Sequence, residues 1–337
     1  MKKTILLLLA MSAALAACGG DDEPVVIGAK PTPPIDTSGP NNNGNTTTPG
    51  NEETPDAGFA VPTEALTRYE FPKLKGGSSK VIVHRAVVIG STGKEEVNYS
   101  VEWDTSKNAQ RWSCYYLTPS IVSTNTAGVS RYNADNTGLL TPDCQYPNDQ
   151  DLEPEYQMVK DPYKYSGYDH GHICPSADRQ KSSASNYQTF FITNMQPQYN
   201  KFNAGIWESM ETRVRQWALK SDTLWVCKGG TIDADKDILE WVCQGSHQST
   251  RVNSDHIPVP KYFYMAVFSK KGTTLKAMAF WVEQQNADRK SDNLANYAIT
   301  VDRLEQLTGI DFFCNLPDAV EEEQERQLVL SDWELAK

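Results

Sequence analysis

The chain reads as an α+β protein on a mixed or antiparallel sheet. Three observations predict this: several short runs rich in β-branched and aromatic residues, one long stretch with a helical apolar stripe, and no regular alternation between the two. The strand candidates are residues 80–89, 97–103, 111–117, 189–193, 224–227, 262–268 and 277–282. Alternation in 97–103 predicts a half-buried strand, whereas 189–193 (TFFIT) reads as a fully buried one. From about Asn203, the side chains Ile206, Trp207, Met210, Val214, Trp217 and Ala218 fall on one helical face, and the helix ends before Ser221. Turn signals surround Gln196-Pro197-Gln198, and a last helix over about 297–307 is stopped by Gly309. Residues 119–167 are rich in Asn, Asp, Pro, Gly and Tyr and read as a long loop with short elements, a feature that usually serves function.

The amino end reads as an export signal, not as fold. Lys2 and Lys3 precede an apolar run over 5–17 that is too short to span a bilayer. Leu15-Ala16-Ala17-Cys18 resembles a bacterial lipoprotein signal, which makes 1–17 the signal peptide and Cys18 the lipidated first residue, anchored to a membrane. The acidic run 19–23 resembles a sorting signal for the outer membrane or cell surface of some Gram-negative lineages. Residues 18–63 are dominated by Pro, Thr, Asn, Gly and acids and predict a disordered tether, followed by a folded domain over 64–320 and an acidic C-terminal tail over 321–337.

Net charge is −11, which opposes binding of a polyanion. The excess lies at the ends, however: residues 64–320 hold 30 acids against 27 bases, so a local basic groove suffices. Six cysteines remain once Cys18 is set aside, an even number that favours disulfides in an exported protein, with Cys227 and Cys243 the expected pair.

Chemistry concentrates in Tyr168–Arg179, which holds two of the five histidines, two aspartates and an arginine. Neutral histidine is both the usual base near pH 7 and a common metal ligand, and the glycine between the pair permits a turn or a close backbone approach. Asp169-His170-Gly171-His172, then Thr193-Asn194-Met195-Gln196-Pro197-Gln198, then Asn203 with Trp207 and Glu211, resembles the DNA/RNA non-specific endonuclease family in order and spacing. The resemblance covers about residues 64–316. It implies a ββα-metal site in which His172 is the general base and Asn203 the direct ligand of magnesium, with manganese or another divalent cation as substitutes. It also implies that Glu211 is an outer-shell acid, that Arg215 and Arg179 contact phosphate, and that Asn194 supports the site. The products implied are 5′-phosphate and 3′-hydroxyl ends of DNA or RNA, cut without base-specific readout.

Two positions depart from the family pattern. Its arginine before glycine is His170 here, and its upstream arginine falls at Ser106, beside Lys107. A part-charged histidine predicts lower activity or a mildly acidic optimum, which a rate profile of His170→Arg would reveal. Read alone, Asn203 is also a good helix N-cap, and Glu211 with Arg215 an ordinary surface pair. Two other functions stay open at this point: a zinc site using His170, His172 and Cys174 or Asp169, and an inactive surface binding protein.

Overall fold

The computed structural model describes residues 63–87, 94–122 and 128–335. The signal, Cys18 and the tether through residue 62 lie outside the described residues. Among the described residues no helix is long and apolar enough to cross a membrane.

The strands run, in chain order, β1 (Ser79–Val87), β2 (Glu95–Asp104), β3 (Ala109–Leu117), β4 (Asp169–His172), β5 (Met195–Gln198) and β6 (Thr223–Gly230). They continue with β7 (Ile238–Cys243), β8 (Ser246–Gln248), β9 (Ile257–Pro260), β10 (Tyr262–Lys271), β11 (Thr274–Glu283) and β12 (Ala298–Ile299). A seven-stranded sheet has the order β1-β2-β3-β6-β10-β11-β12; β4-β5 form a ribbon and β8-β7-β9 a small third sheet. The pairings are antiparallel throughout. The α+β reading of the sequence therefore holds, in its antiparallel form.

Both faces of the large sheet are covered, because period-two side chains of β2, β3, β6, β10 and β11 feed two apolar layers. On one face, Tyr99, Val101, Val226, Met265 and Phe280 pack with Ile206, Met210, Val214 and Trp217 of the helix α1 (Glu208–Ala218) and the turns preceding it. On the other, Trp112, Cys227, Ala266 and Phe268 meet Val301 and Leu304 of α2 (Val301–Thr308). Double coverage is why β2 is buried along both sides and not half-buried as its alternation predicts. Two of its acidic residues are paired there: Glu102 and Asp104 accept from Arg111 on β3 at 2.9 and 2.8 Å.

Several local expectations are corrected. Residues 189–193 form a tight turn leading into a short 3-10 helix (Ile192–Asn194), not a strand; Phe190 and Ile192 are buried by tertiary packing rather than by sheet pairing. Gln196-Pro197-Gln198 is strand, not turn: it lies in β5, whose two-stranded ribbon leaves Pro197 free of any need to donate. The last helix starts later than predicted, because Thr300 caps it by accepting from the Arg303 amide, and Gly309 ends it in the left-handed region as expected. The acidic stretch after residue 320 packs onto the domain: α3 (Asp318–Glu325) is followed by Trp333, which is buried edge-to-face against Trp217. Glu325 ends up buried there, and burial, then Glu305 and Glu321, push its carboxyl up to about 9.

The six cysteines from Cys114 to Cys314 are free, so the expected Cys227–Cys243 bridge is absent. The chain between them leaves the large sheet: Cys227 lies in β6 opposite Cys114, whereas Cys243 ends β7 in the third sheet.

His84 of β1 is fully buried between Asp149 (3.1 Å) and Asp151 (3.4 Å) of the long loop. Burial opposes its charge, but the two carboxylates outweigh it and raise His84 to about 9. A raised histidine stabilises the fold fully below its unfolded pKa and loses that stabilisation as pH rises through the folded value. The expected result is a stability loss on the order of 3 kcal/mol between about pH 6.5 and 9. Thermal melts across that window check it, and an unchanged slope in Asp149→Asn would contradict it.

Candidate active site

The β4-β5 ribbon sits against the start of α1, and this contact builds the site. Gly171 pairs with Gln196, and a Cβ on it would come 2.3 Å from the Gln198 side chain, so the glycine serves close strand approach rather than a turn. The chain before α1 is a single helical turn (Asn200–Phe202) and a π-helical turn (Asn203–Trp207) with Gly205 off the helical conformation. Asn203 is therefore inside a helical run and not its N-cap. The indole of Trp207 donates to the His172 carbonyl at 3.4 Å, which ties the helix start to the end of β4.

A cleft of about 460 Å³ opens there, lined by Asp169, His170, His172, Asn203, Glu211 and Arg215 together with Arg131, Tyr146 and Glu208. The histidine of the first motif and the asparagine and glutamate of the third thus share one cavity. Asn203 donates its Nδ2 to Asp169 at 3.0 Å, as does Asn200, and this leaves the Asn203 Oδ1 as the uncommitted donor atom.

His172 has a buried Nε2 with no hydrogen-bond partner, while the ring bonds the His170 backbone. That bond falls to Nδ1, which makes Nε2 the unprotonated acceptor. Burial, then the charge of Arg131, hold His172 down to about 3, so it is neutral at every ordinary pH. Phe190 meets the His172 ring in a T-shaped pair with centroids 4.9 Å apart, and Arg131 lies over the Phe190 ring at 4.8 Å.

Glu211 is largely buried, with its side chain 12% exposed, and is bonded by Lys228 of β6 at 2.7 Å; burial raises its carboxyl while Lys228 opposes the rise. Lys228 is itself 1% exposed and lies over the Trp207 ring at 4.7 Å. Arg215 reaches the cleft with one arm on Asp178 at 3.0 Å.

Other expected site residues stand elsewhere. Arg179 is 2% exposed and spends its donors on the carbonyls of Asn98, Asp178 and Tyr116, so it is a structural clamp and not a phosphate ligand. Asn194 is also fully buried: it bonds both the amide and the carbonyl of Cys174 at 2.9 and 2.8 Å, fixing the chain just beyond His172 from behind the cleft. It holds the chain that follows His172 and does not line the cleft. His170 lines the cleft but is stacked on Tyr146 at 3.5 Å and tied to Asp161 at 2.9 Å, so it cannot swing as an arginine would. Ser106 and Lys107 are outside the cleft, held by Asp104 and by the Ile232 carbonyl.

Arg131 was missed because it sits in the long loop, which has no periodicity to read. Its one signal is that it is the single arginine of a polar loop that leads into the histidine motif. Lys228 was missed because a lysine in a strand reads as an edge residue, and only the fold buries it beside Glu211.

The zinc alternative loses its ligand set. Cys174 is fully buried, which pushes its thiol up to about 12, and Asp161 occupies His170. Among the described residues, the His, Cys, Asp and Glu groups whose ligand atoms converge lie in other places.

The cleft fits a hard divalent ion: the donor atoms present are oxygens of Asn203, Asp169 and Glu211, and one of them is oriented by a second residue. Because the free-protein pKa of His172 is depressed, the acid limb of kcat/KM is expected below pH 6, well under the 6.5 of an ordinary histidine. A midpoint at or above 6.5 in a pH–rate profile contradicts this.

Similar known proteins are nucleases. The nuclease EXOG of Xenopus laevis is 23% identical over 234 residues, 67% of this chain and 60% of its own length. The human nuclease EXOG is 23% identical over 255 residues (72% and 64%), and a nuclease of Nostoc sp. 26% identical over 225 (65% and 72%). The chain thus spans about three fifths of the Xenopus relative's length. A solved structure of the EndoG/EndoGI complex aligns with a TM-score of 0.57 and 20% identity, covering 78% of this chain and 96% of that one, which shows a shared fold. The sequence profile of DNA/RNA non-specific endonucleases matches residues 84–319, and the chain belongs to that family.

Proposed function

We propose that the chain is a metal-dependent endonuclease that hydrolyses phosphodiester bonds of DNA or RNA without sequence specificity. The observation that carries this is the shared cleft: a neutral, unpartnered His172 Nε2 and the free amide oxygen of Asn203 line one cavity with Arg131 and Arg215. His172 accepts a proton from water, the resulting hydroxide attacks phosphorus, and the bond from phosphorus to the 3′ oxygen breaks, leaving a 5′-phosphate and a 3′-hydroxyl. Arg131 and Arg215 attract the phosphate and offset charge that grows on it in the transition state. Glu211, held by Lys228, orients water on the side of the cleft facing Asn203. A divalent ion at Asn203, magnesium in this proposal, supplies further charge neutralisation and an acidic water for the leaving oxygen.

Arg131 and Arg215 stand in the cleft beside Asp169, Glu208 and Glu211, and a bound divalent ion would offset those carboxylates, so that a polyanion can enter despite the net charge of −11. The lipoprotein reading of Cys18 would place this activity at a membrane surface outside the cytoplasm.

The test is incubation of the purified full chain with supercoiled plasmid and with RNA, in magnesium or in EDTA. Nicking in magnesium and none in EDTA is expected. Absence of cleavage in every divalent ion points to the inactive binding protein, and cleavage that follows zinc content alone points to the zinc hydrolase.

A further inference from the structure

On the face of the sheet opposite the cleft, α2 presents Asp302 and Glu305 one turn apart, and the end of α3 brings Glu325 to them. One carboxylate oxygen from each lies within 4.8 Å of the others. Oxygens bound to one calcium ion at about 2.5 Å lie up to about 5 Å apart, so the three can share an ion without rearrangement.

The decisive group is Glu325. It is 5% exposed, and its Oε1 is buried with no hydrogen-bond partner. Among the described residues, no Lys, Arg or His side chain forms an ion pair with any of the three carboxylates. Ionising a buried carboxyl without a partner is costly, so such a group is normally protonated, paired or bound to metal. Glu305 has one oxygen committed to the Phe312 amide at 2.8 Å, which orients the carboxylate as a supporting hydrogen bond does for a ligand.

We infer that Asp302, Glu305 and Glu325 form a second cation site, for calcium, that clips the C-terminal helix to its neighbour. Flexible, all-oxygen coordination with water completing the shell suits calcium better than magnesium, which demands a near-ideal octahedron. The site is independent of the nuclease reading, and it accounts for acidic residues that otherwise read as a solvated tail.

Thermal melting of the full chain tests it, after chelator treatment and dialysis, with and without about 5 mM calcium chloride, several times the millimolar Kd of extracellular calcium modules. The melting temperature should rise by about 3 °C in the wild type and equally in Asn203→Ala, which removes the cleft ligand. Glu325→Gln should lose the rise, should melt at or above the wild type in chelator because the amide carries no charge, and should still nick plasmid. The inference is overturned if calcium gives the wild type no rise, if the rise disappears in Asn203→Ala, if Glu325→Gln keeps it, or if magnesium alone matches it. It is overturned equally if Glu325→Gln melts below the wild type in chelator.

Discussion

The His172→Ala variant is expected to cut plasmid about 10²–10⁴-fold more slowly in single turnover, the range lost when a general base is removed. His172 Nε2 is the one buried ring nitrogen in the cleft with no partner, and burial, then the charge of Arg131, keep it unprotonated. Substrate binding should persist, because Arg131 and Arg215 are untouched. The melting temperature should fall by no more than a few degrees, since the ring contacts are T-shaped pairs with Phe190 and Tyr146 at one wall of an open cleft. Added imidazole should restore part of the rate, as it can enter the vacated space. A variant that cuts at the wild-type rate removes His172 from the chemistry.

Asn203→Ala has the second largest expected effect, and its signature differs. The magnesium concentration for half-maximal rate should rise more than about tenfold, with the maximal rate also reduced, because the side-chain oxygen proposed to hold the ion is lost. Asp169→Ala should give a weaker version of the same shift, since Asp169 Oδ2 fixes the amide through its 3.0 Å bond. Titrating magnesium against initial nicking rate separates these from an effect on folding. Unchanged magnesium dependence in Asn203→Ala would place the ion elsewhere.

The large sheet and the long helix were legible because their side-chain periods are long and consistent. Ile206 through Ala218 fall on one face in sequence and are buried together in the fold. The three-motif constellation was legible for a different reason, since residue type and spacing together restrict the chemistry. What failed were short apolar or turn-like runs, where local pattern and tertiary context diverge. Residues 189–193 are buried by what surrounds them, and Pro197 fits a strand only because its ribbon has a single partner. Arg179 illustrates the limit for charges: sequence cannot show that three backbone carbonyls consume a guanidinium. Arg131 is the reverse case, a loop residue brought to the site by a long connection with no periodicity to read. Cysteine parity misled because pairing depends on sheet register, which puts Cys227 opposite Cys114 and far along the topology from Cys243.

The central claim is that His172 and Asn203 act on one phosphate, and a double-mutant cycle in single-turnover plasmid cleavage tests it most directly. If both serve the same transition state, His172→Ala with Asn203→Ala should be little slower than the worse single variant, as for residues that act as a unit. Losses that multiply, each variant costing as much in the presence of the other as alone, would show two groups working independently and contradict the shared site.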